Sequence, residues 1–399
     1  MPSLLNITDE GVLSPNTSRA IGIEFLPRSE YTPGGGSAGG ETLPSHFAGA
    51  TAAHQWLSPV YNHGAASVAL IRGMIAAVVH AGVGCEIVVA GDSKGEGYNA
   101  GGSGVRWRYG WVGILRAMLG GVEGTVLAYP GGIDARWTTN MIQGNTNVPG
   151  LVKDGAVSPS TTLVFDTPHT GGAFWVRSAA GGTVTVTVDG GATQSFTVPA
   201  GNGFKSITPT VTGTGTHTYV VAGAALDHLY GFRPTYSGAK VKITNLSRSG
   251  ATAAGWLPGV STTQTGHWDG LLAATAPDAI IGALGTNQPG ADGPANGTNL
   301  TAFWAAVAAL GKPALIVTPG GLDLTGSESW FEQYRAQLTA ADTHNLPLLD
   351  HASVIGTGAN AQARGLMADT THENRKGFAY EAAAVFALLG IVDRISITG

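Results

Sequence analysis

The chain has 399 residues, of which 21 are Lys or Arg and 26 are Asp or Glu, so its formal net charge is −5. Charged residues make up 12% of the chain, roughly half of their usual share, and the basic ones form no run, which argues against a nucleic-acid partner. A hydrophobic fraction of 43% is too high for a disordered chain. A single cysteine, Cys85, excludes an intrachain disulfide.

The N-terminal part of the chain carries no basic start followed by a long apolar core, so no signal peptide is evident and we expect a soluble protein. Residues 32–40, TPGGGSAGG, are typical of a flexible hinge, and residues 1–60 are therefore predicted to form an N-terminal arm or linker region. The run 65–84 contains Arg72 and His80, which interrupt it too strongly for a membrane span. It predicts a buried helix.

Strand and helix patterns alternate in two separate parts of the chain. The apolar run CEIVVA predicts a buried strand at 85–90, and helical spacing follows from Trp107 to Leu119. After residue 240, further apolar runs alternate with helical stretches; these runs lie at 239–247, 278–285, 313–319 and 346–351. The alternation predicts an α/β domain with a parallel sheet between helices, made of residues 61–158 and 237–399.

Between these two parts the helical period disappears. Short alternating runs are separated by Gly, Pro and Asp, and TVTVTVDGGATQSFTV has the pattern of a β-hairpin. Several such strands at regular spacing predict an inserted all-β domain, a sandwich or jelly roll, at residues 159–236.

Polar residues gather where the predicted strands end, which is where open α/β sheets bind their ligands. Ser93, Gly250 and Asn287 follow the first three strands, and Asp369 and His372 share the loop before the last helix. Serine hydrolysis needs a Ser nucleophile, a His that takes its proton and a carboxylate that orients the His. It also needs hydrogen-bond donors for the oxyanion. The five residues supply each of these types.

Four short blocks carry a resemblance to a known family. Gly-Asp-Ser, Ser-Gly-Ala-Thr, Gly-Thr-Asn and Asp-Thr-Thr-His resemble, in order, the blocks of the SGNH (GDSL) hydrolase superfamily, over about 85–130 and 239–390. The resemblance implies a flavodoxin-like three-layer α/β/α fold and a triad of Ser93, His372 and Asp369. It implies an oxyanion hole of Ser93, Gly250 and Asn287. The arrangement is also similar to esterases predicted among tail proteins of actinobacterial phages.

The chain departs from the family pattern at several positions. Lys94 follows the Ser, where an apolar or small residue is more usual, and Glu373 stands where the family often has Pro. Gln288 replaces the Asp that commonly follows the Asn. None of these changes removes a reacting group, but Lys94 and Glu373 bear on the substrate and on the pH optimum. The first two blocks are also unusually far apart, because the predicted β domain lies between them.

Asp92, Trp175 and Tyr230 are candidate substrate-binding residues, the two aromatic residues because their rings could stack on sugars. Packing in the core of the β domain is the alternative for both rings. The histidines outside the four blocks show no zinc-ligand spacing, so neither a metal nor a cofactor is predicted.

These observations predict a serine esterase that hydrolyses carboxylic esters through an acyl-enzyme. The Gly-rich surroundings favour O-acetyl groups on a cell-envelope polysaccharide or glycolipid as the substrate and partner. Three alternatives remain: a glycan-binding virion adhesin with a vestigial hydrolase domain, a lipase-type esterase for longer acyl chains, and acyl transfer to another acceptor. The phage resemblance adds virion tail proteins as partners and the host cell surface as the place of action.

Overall fold

The computed structural model describes residues 60–389, except 63–64, 102–103, 144–149, 155–157, 258–271, 273–274, 288–292, 321–327 and 357, together with two short strands at 6–7 and 13–14. The predicted hinge at 32–40, most of the predicted arm and Gln288 lie outside the described residues.

The strands, in chain order, are β1 (Asn6–Ile7), β2 (Leu13–Ser14), β3 (Val60–Tyr61), β4 (Cys85–Gly91), β5 (Val122–Glu123), β6 (Val126–Leu127), β7 (Trp137–Thr139), β8 (Ile142–Gln143), β9 (Leu151–Val152), β10 (Ser160–His169), β11 (Gly171–Ser178), β12 (Gly182–Val188), β13 (Thr193–Val198), β14 (Gly201–Ile207), β15 (Gly215–Ala222), β16 (His228–Thr235), β17 (Val241–Asn245), β18 (Ala279–Ala283), β19 (Ala314–Thr318) and β20 (Leu348–Asp350).

The α-helices are α1 (Ala66–His80), α2 (Ser93–Glu96), α3 (Arg106–Tyr109), α4 (Trp111–Met118), α5 (Gly293–Ala309), α6 (Glu328–Thr343), α7 (His351–Ile355), α8 (Gly358–Ala363) and α9 (Arg375–Leu388). Among the described residues, no helix combines the length and the apolar composition that crossing a bilayer requires.

A seven-stranded sheet, the main sheet, organises the α/β part in the order β3-β20-β19-β18-β4-β17-β5. β3 is antiparallel to β20, and the other neighbours pair in parallel. Counted along the chain, β4, β17, β18, β19 and β20 stand in the order 2-1-3-4-5, a common order of doubly wound sheets. The predicted α/β organisation with a parallel sheet is thus confirmed. The strand order reverses between β4 and β18, and ligands bind at such a point.

β4 lies inside the main sheet, between β18 and β17, and is buried along its whole length. Ile87 and Val89 face the apolar cluster formed with α1, α4 and α9, whereas Val88 and Ala90 face the cluster formed with α5 and α6. Because a strand covered on both faces must be apolar at every position, it is encoded as a continuous run rather than as an alternation. The run CEIVVA therefore predicted this strand well.

The described residues between 126 and 235, here called the β region, form two antiparallel sheets. One has the order β13-β12-β15-β10-β7 and the other the order β14-β11-β16-β9-β8, with β6 also paired to β16. The two sheets enclose an apolar core whose largest side chains include Trp137, Phe165 and Phe232. The antiparallel strands begin at Val126, upstream of the predicted boundary at 159. Strands of two or three residues, as here before residue 160, are too short to produce a recognisable alternation.

A charged cluster marks the junction between the β region and the main sheet. Arg136 Nη1 donates to Glu123 Oε2 at 2.6 Å, and its Nη2 donates to Asp134 Oδ2 at 2.6 Å. Arg116 also pairs with Glu123, at 2.9 Å. The Arg136 guanidinium carbon lies 3.5 Å from the ring centroid of Trp107. We call Arg116, Glu123, Asp134 and Arg136 the junction cluster.

Candidate active site

β4 leads directly into the turn that holds Ser93. Asp92 caps α2: its side chain accepts a hydrogen bond from the Lys94 N–H at 3.1 Å and another from the Thr286 N–H at 3.0 Å. The Asp92 carboxylate is therefore satisfied within the protein, and the residue is only 1% exposed. This placement differs from the expected role in substrate binding, because Asp92 instead joins the Ser93 turn to the loop after β18.

His372 bridges Ser93 and Asp369. Its Nε2 lies 2.9 Å from Ser93 Oγ, and its Nδ1 lies 3.0 Å from Asp369 Oδ2. The structure thus brings Ser93 to the two other residues of the predicted triad, although 279 residues separate it from His372 in the sequence. Chemically, this arrangement lets the imidazole accept a proton from the hydroxyl while the carboxylate fixes the opposite ring nitrogen.

The carboxylate of Asp369 is held by its own loop. Its Oδ1 accepts the backbone N–H of Thr371 at 2.7 Å and that of His372 at 2.6 Å. Partial burial raises the pKa of Asp369, but these hydrogen bonds and the His372 side chain outweigh that effect and bring the pKa below its usual value. Asp369 is therefore ionised near neutral pH.

Two residues that the sequence analysis missed support the triad from the segment after α2. Asn99 Nδ2 donates to Asp369 Oδ2 at 2.6 Å, and the Tyr98 ring lies 4.6 Å from the His372 ring. The guanidinium carbon of Arg106 lies 4.2 Å from the Tyr98 centroid. No sequence motif marks a Tyr-Asn pair in a Gly-rich turn, so these contacts become visible only in the structure.

The loop after β17 carries Gly250, whose φ is 78°, a conformation that favours glycine. This loop is tied to the Ser93 turn at three points. The Ser249 N–H donates to Glu96 Oε2 at 2.6 Å, and the Arg248 N–H donates to the Gly91 carbonyl at 3.2 Å. Asn245 Nδ2 donates to the Gly95 carbonyl at 2.7 Å.

The loop after β18 completes the arrangement. Asn287 Nδ2 donates to the Ala251 carbonyl at 3.2 Å, which uses one of the two N–H bonds of its amide. Its neighbour Thr286 donates to Asp92, as described above. The three residues of the predicted oxyanion hole, Ser93, Gly250 and Asn287, thus lie on three loops that are hydrogen-bonded to one another.

The structure places the two candidate sugar-stacking residues in the interior. Trp175 is 7% exposed and Tyr230 is fully buried. Both belong to the apolar cluster that covers one face of the main sheet, and both rings pack against Phe204. This corresponds to the packing alternative: the two rings fill the junction between the β region and the main sheet, where burial of large aromatic surface stabilises the protein.

Lys94 and Glu373, the two residues that depart from the family pattern on either side of the site, form an ion pair in the structure. Lys94 Nζ donates to Glu373 Oε1 and, at 2.5 Å, to the Thr371 carbonyl. Lys94 is 4% exposed and Glu373 is fully buried. Sequence reasoning noted each residue separately. The only signal that could have joined them was that two atypical positions, one beside each catalytic candidate, carry charges of opposite sign.

No arrangement of three or more His, Cys, Asp or Glu side chains that could hold a metal ion occurs within the part of the chain that the structure describes.

Comparisons with known proteins identify a shared fold. No protein-family model matches the chain, and no curated protein matches it either. Among solved structures, one described as a peptidoglycan O-acetylesterase superposes with a TM-score of 0.62 at 16% identity, covering 84% of this chain and 99% of that one. At this identity the likeness shows that the two chains have the same fold.

Two carbohydrate esterases match more weakly. A family 2 enzyme with a carbohydrate-binding domain from Corynascus thermopiles (Myceliophthora fergusii) gives 15% identity, 59% and 94% coverage of the two chains, and a TM-score of 0.28. A family two carbohydrate esterase from Cellvibrio japonicus gives 14% identity, 67% and 98% coverage, and a TM-score of 0.28. These TM-scores are too low to support an argument.

Proposed function

We propose that the protein is a serine esterase that hydrolyses O-acetyl esters on a cell-envelope polysaccharide. The observation that carries the proposal is the hydrogen-bonded chain Ser93–His372–Asp369, at 2.9 Å and 3.0 Å. The structure with the same fold is described as a peptidoglycan O-acetylesterase, which supports both the acetyl ester and the polysaccharide.

In the proposed mechanism, His372 Nε2 takes the proton of Ser93 while Oγ attacks the ester carbonyl carbon. The tetrahedral intermediate collapses, its bond to the sugar oxygen breaks, and His372 returns the proton to that oxygen. Water then attacks the acetyl-enzyme and loses a proton to His372. The bond between the acetyl carbon and Oγ breaks, His372 returns the proton to Oγ, and acetic acid leaves. The ionised Asp369 stabilises the imidazolium that forms twice in each cycle.

The negative charge on the carbonyl oxygen needs donors that are already in place. We assign the backbone N–H of Ser93, the backbone N–H of Gly250 and the Asn287 amide to this role, because their loops are hydrogen-bonded into one arrangement. Loss of one such donor raises the barrier by roughly 3 to 4 kcal/mol.

We further infer an SGNH-type, flavodoxin-like three-layer fold in which the β region is an inserted sandwich domain. The 2-1-3-4-5 strand order and the two antiparallel sheets around one core support this assignment. The proposed partner is the polysaccharide, and its support is the description of the solved structure that shares the fold. A place on a phage tail stays a prediction from the sequence resemblance.

The test compares the wild type with Ser93→Ala, using p-nitrophenyl acetate, a longer acyl ester and O-acetylated peptidoglycan. We expect Ser93→Ala to lower kcat by about 10⁴-fold or more, acetate to be preferred over the longer chain, and acetate to be released from the polymer. Ser195→Ala is the control, because Ser195 is an exposed serine of the β region. Equal rates for wild type and Ser93→Ala would refute the proposal and favour a glycan-binding protein.

A further inference from the structure

A group of buried ionisable side chains lies beneath His372. It consists of Lys94 from α2, Glu373 from the His372 loop, Glu381 from α9 and His351 from α7, with exposures of 4%, 0%, 1% and 2%. We call these four residues the lysine–glutamate cluster. Neither the triad nor the oxyanion donors include any of them, so the mechanism leaves four buried ionisable groups without a role.

The cluster contains one lysine and two carboxyl groups. Lys94 pairs with Glu373, and His351 Nδ1 lies 3.3 Å from Glu381 Oε1. Within the described residues, Glu373 Oε2 and both carboxyl oxygens of Glu381 have no hydrogen-bond partner. If both carboxyl groups of the cluster were ionised, one ammonium group would not balance them, and an excess buried charge is costly. The cluster therefore retains a proton.

The pKa of Glu373 agrees with this geometry. Burial and then the neighbouring Glu381 raise it to about 8, against the opposing effect of Lys94. Asp92 also lies close to Lys94, since its carboxylate accepts the Lys94 backbone N–H and its pKa is raised by burial. The charged and titratable groups around Glu373 are thus Lys94, Glu381, His351 and Asp92.

Lys94 reaches both neighbours of the catalytic histidine. Its ammonium group donates to the Thr371 carbonyl on one side of His372 and to the Glu373 carboxyl on the other. The backbone of Lys94 is itself fixed, because its N–H is bound by Asp92. The residue after the nucleophile is therefore linked to the residues on either side of the base.

We propose that Lys94 and Glu373 are positioning residues that hold His372 at hydrogen-bonding distance from Ser93. The inference rests on the proposed function. A proline at 373, as is common in the resembling family, would stiffen this loop through its fixed φ; in this chain the buried lysine–glutamate pair fixes the loop instead.

The experiment compares Lys94→Met, Glu373→Gln and the double variant with the wild type. Lys94→Met removes the link to Thr371, and we expect kcat for p-nitrophenyl acetate to fall by about 10- to 100-fold with little change in KM. It also leaves a buried carboxyl without its cation, which lowers Tm. In the double variant we expect part of the Tm loss to recover while kcat stays low, because glutamine leaves one buried carboxyl group instead of two but does not restore the link to Thr371. Glu373→Gln alone, which keeps Lys94, should lose less activity.

Lys376→Met is the matched control, since Lys376 is an exposed lysine on α9. Recovery of kcat together with Tm in the double variant would overturn the inference, because it would reduce the pair to a stabilising role. Wild-type kcat in Lys94→Met would overturn it as well.

A measurement independent of turnover separates this inference from the proposed function. The proton that His372 Nδ1 shares with Asp369 gives a downfield NMR signal, assigned with His372→Ala. We expect Lys94→Met to broaden or remove this signal and Lys376→Met to preserve it. An unchanged signal in Lys94→Met overturns the positioning role. Absence of serine-dependent turnover in the wild type overturns the esterase proposal, and the signal still decides the role of Lys94.

Discussion

The two buried charge clusters of this protein differ in how well their members are satisfied. In the junction cluster, Arg136 donates to both Glu123 and Asp134 through several hydrogen bonds. In the lysine–glutamate cluster, three carboxyl oxygens of Glu373 and Glu381 have no hydrogen-bond partner among the described residues. In the junction cluster a bidentate guanidinium neutralises the carboxylates, whereas the lysine–glutamate cluster must hold a proton to remain neutral.

The difference teaches how to separate structural charges from functional ones. A planar guanidinium can donate two parallel hydrogen bonds to a carboxylate, and it stays charged at every pH at which the protein is folded. It can therefore neutralise buried carboxylates permanently. A lysine facing two carboxyls leaves the network responsive to pH. The first cluster lies where two parts of the fold meet, and the second lies under the base of the proposed active site. The following changes test this contrast, starting with the largest expected effect.

Arg136→Met should destabilise the protein strongly and affect catalysis little. Its loss leaves the buried Asp134 carboxylate without a cation and Glu123 with Arg116 alone, which costs about 3 to 5 kcal/mol in the free energy of unfolding. Urea unfolding measures this effect, and kcat for p-nitrophenyl acetate should stay near the wild-type value. Arg108→Met, at an exposed arginine, is the control. A large fall in kcat without loss of stability would remove the distinction between the clusters.

Glu373→Gln should change the pH dependence of stability. The pKa of Glu373 is raised from 4.5 to about 8 in the folded protein, so the folded state retains a proton that the unfolded chain loses. The stability from this proton is complete below the unfolded pKa and is lost as pH rises through 8.

Glutamine cannot ionise. The Tm of Glu373→Gln minus the Tm of the wild type should therefore increase as pH rises. Thermal unfolding between about pH 5 and about pH 8.5 measures it. Asp154→Asn, at an exposed carboxylate, controls for the general loss of a charge. Parallel Tm profiles for wild type and Glu373→Gln would contradict the assignment of the proton.

Asn99→Gly should have the smallest effect. Asn99 has a φ of 66°, so glycine preserves its backbone while removing the hydrogen bond to Asp369. We expect kcat to fall by about three- to tenfold, as for an exposed hydrogen bond to a charged group. Asn345→Gly replaces another asparagine of positive φ, in the loop before β20, and should leave kcat unchanged. Equal kcat values in both variants would show that Asp369 needs no support from Asn99.

Local chemistry made the α/β part predictable from the sequence. β4 is encoded by a continuous apolar run, and the polar residues that follow each parallel strand meet at one edge because the strands run in the same direction. The triad geometry follows from the same rule, since Ser93 lies in the turn directly after β4. His372 precedes α9, which packs in the apolar cluster on one face of β4.

Long-range packing accounts for what the sequence did not predict. The β region starts at Val126 with strands that are too short to show an alternating pattern. For Trp175, the sequence alone does not distinguish a ring that stacks on sugar from a ring that packs in the core. The pairing of Lys94 with Glu373 joins positions 279 residues apart, which no local pattern encodes. The contacts of Tyr98 and Asn99 depend on the same distant loop.

The place of the β region in the chain sets an order for folding. β4 and β17 are neighbours in the main sheet, and Thr244 Oγ1 donates to Glu86 Oε1 across a separation of 158 residues. Closing so long a loop directly carries an entropic cost that slows pairing. The β region shortens it, because β6 and β16 pair and bring Leu127 beside Gly231. We therefore expect the β region to fold before β17 reaches β4, so the loop of Gly250 joins the Ser93 turn as a late event.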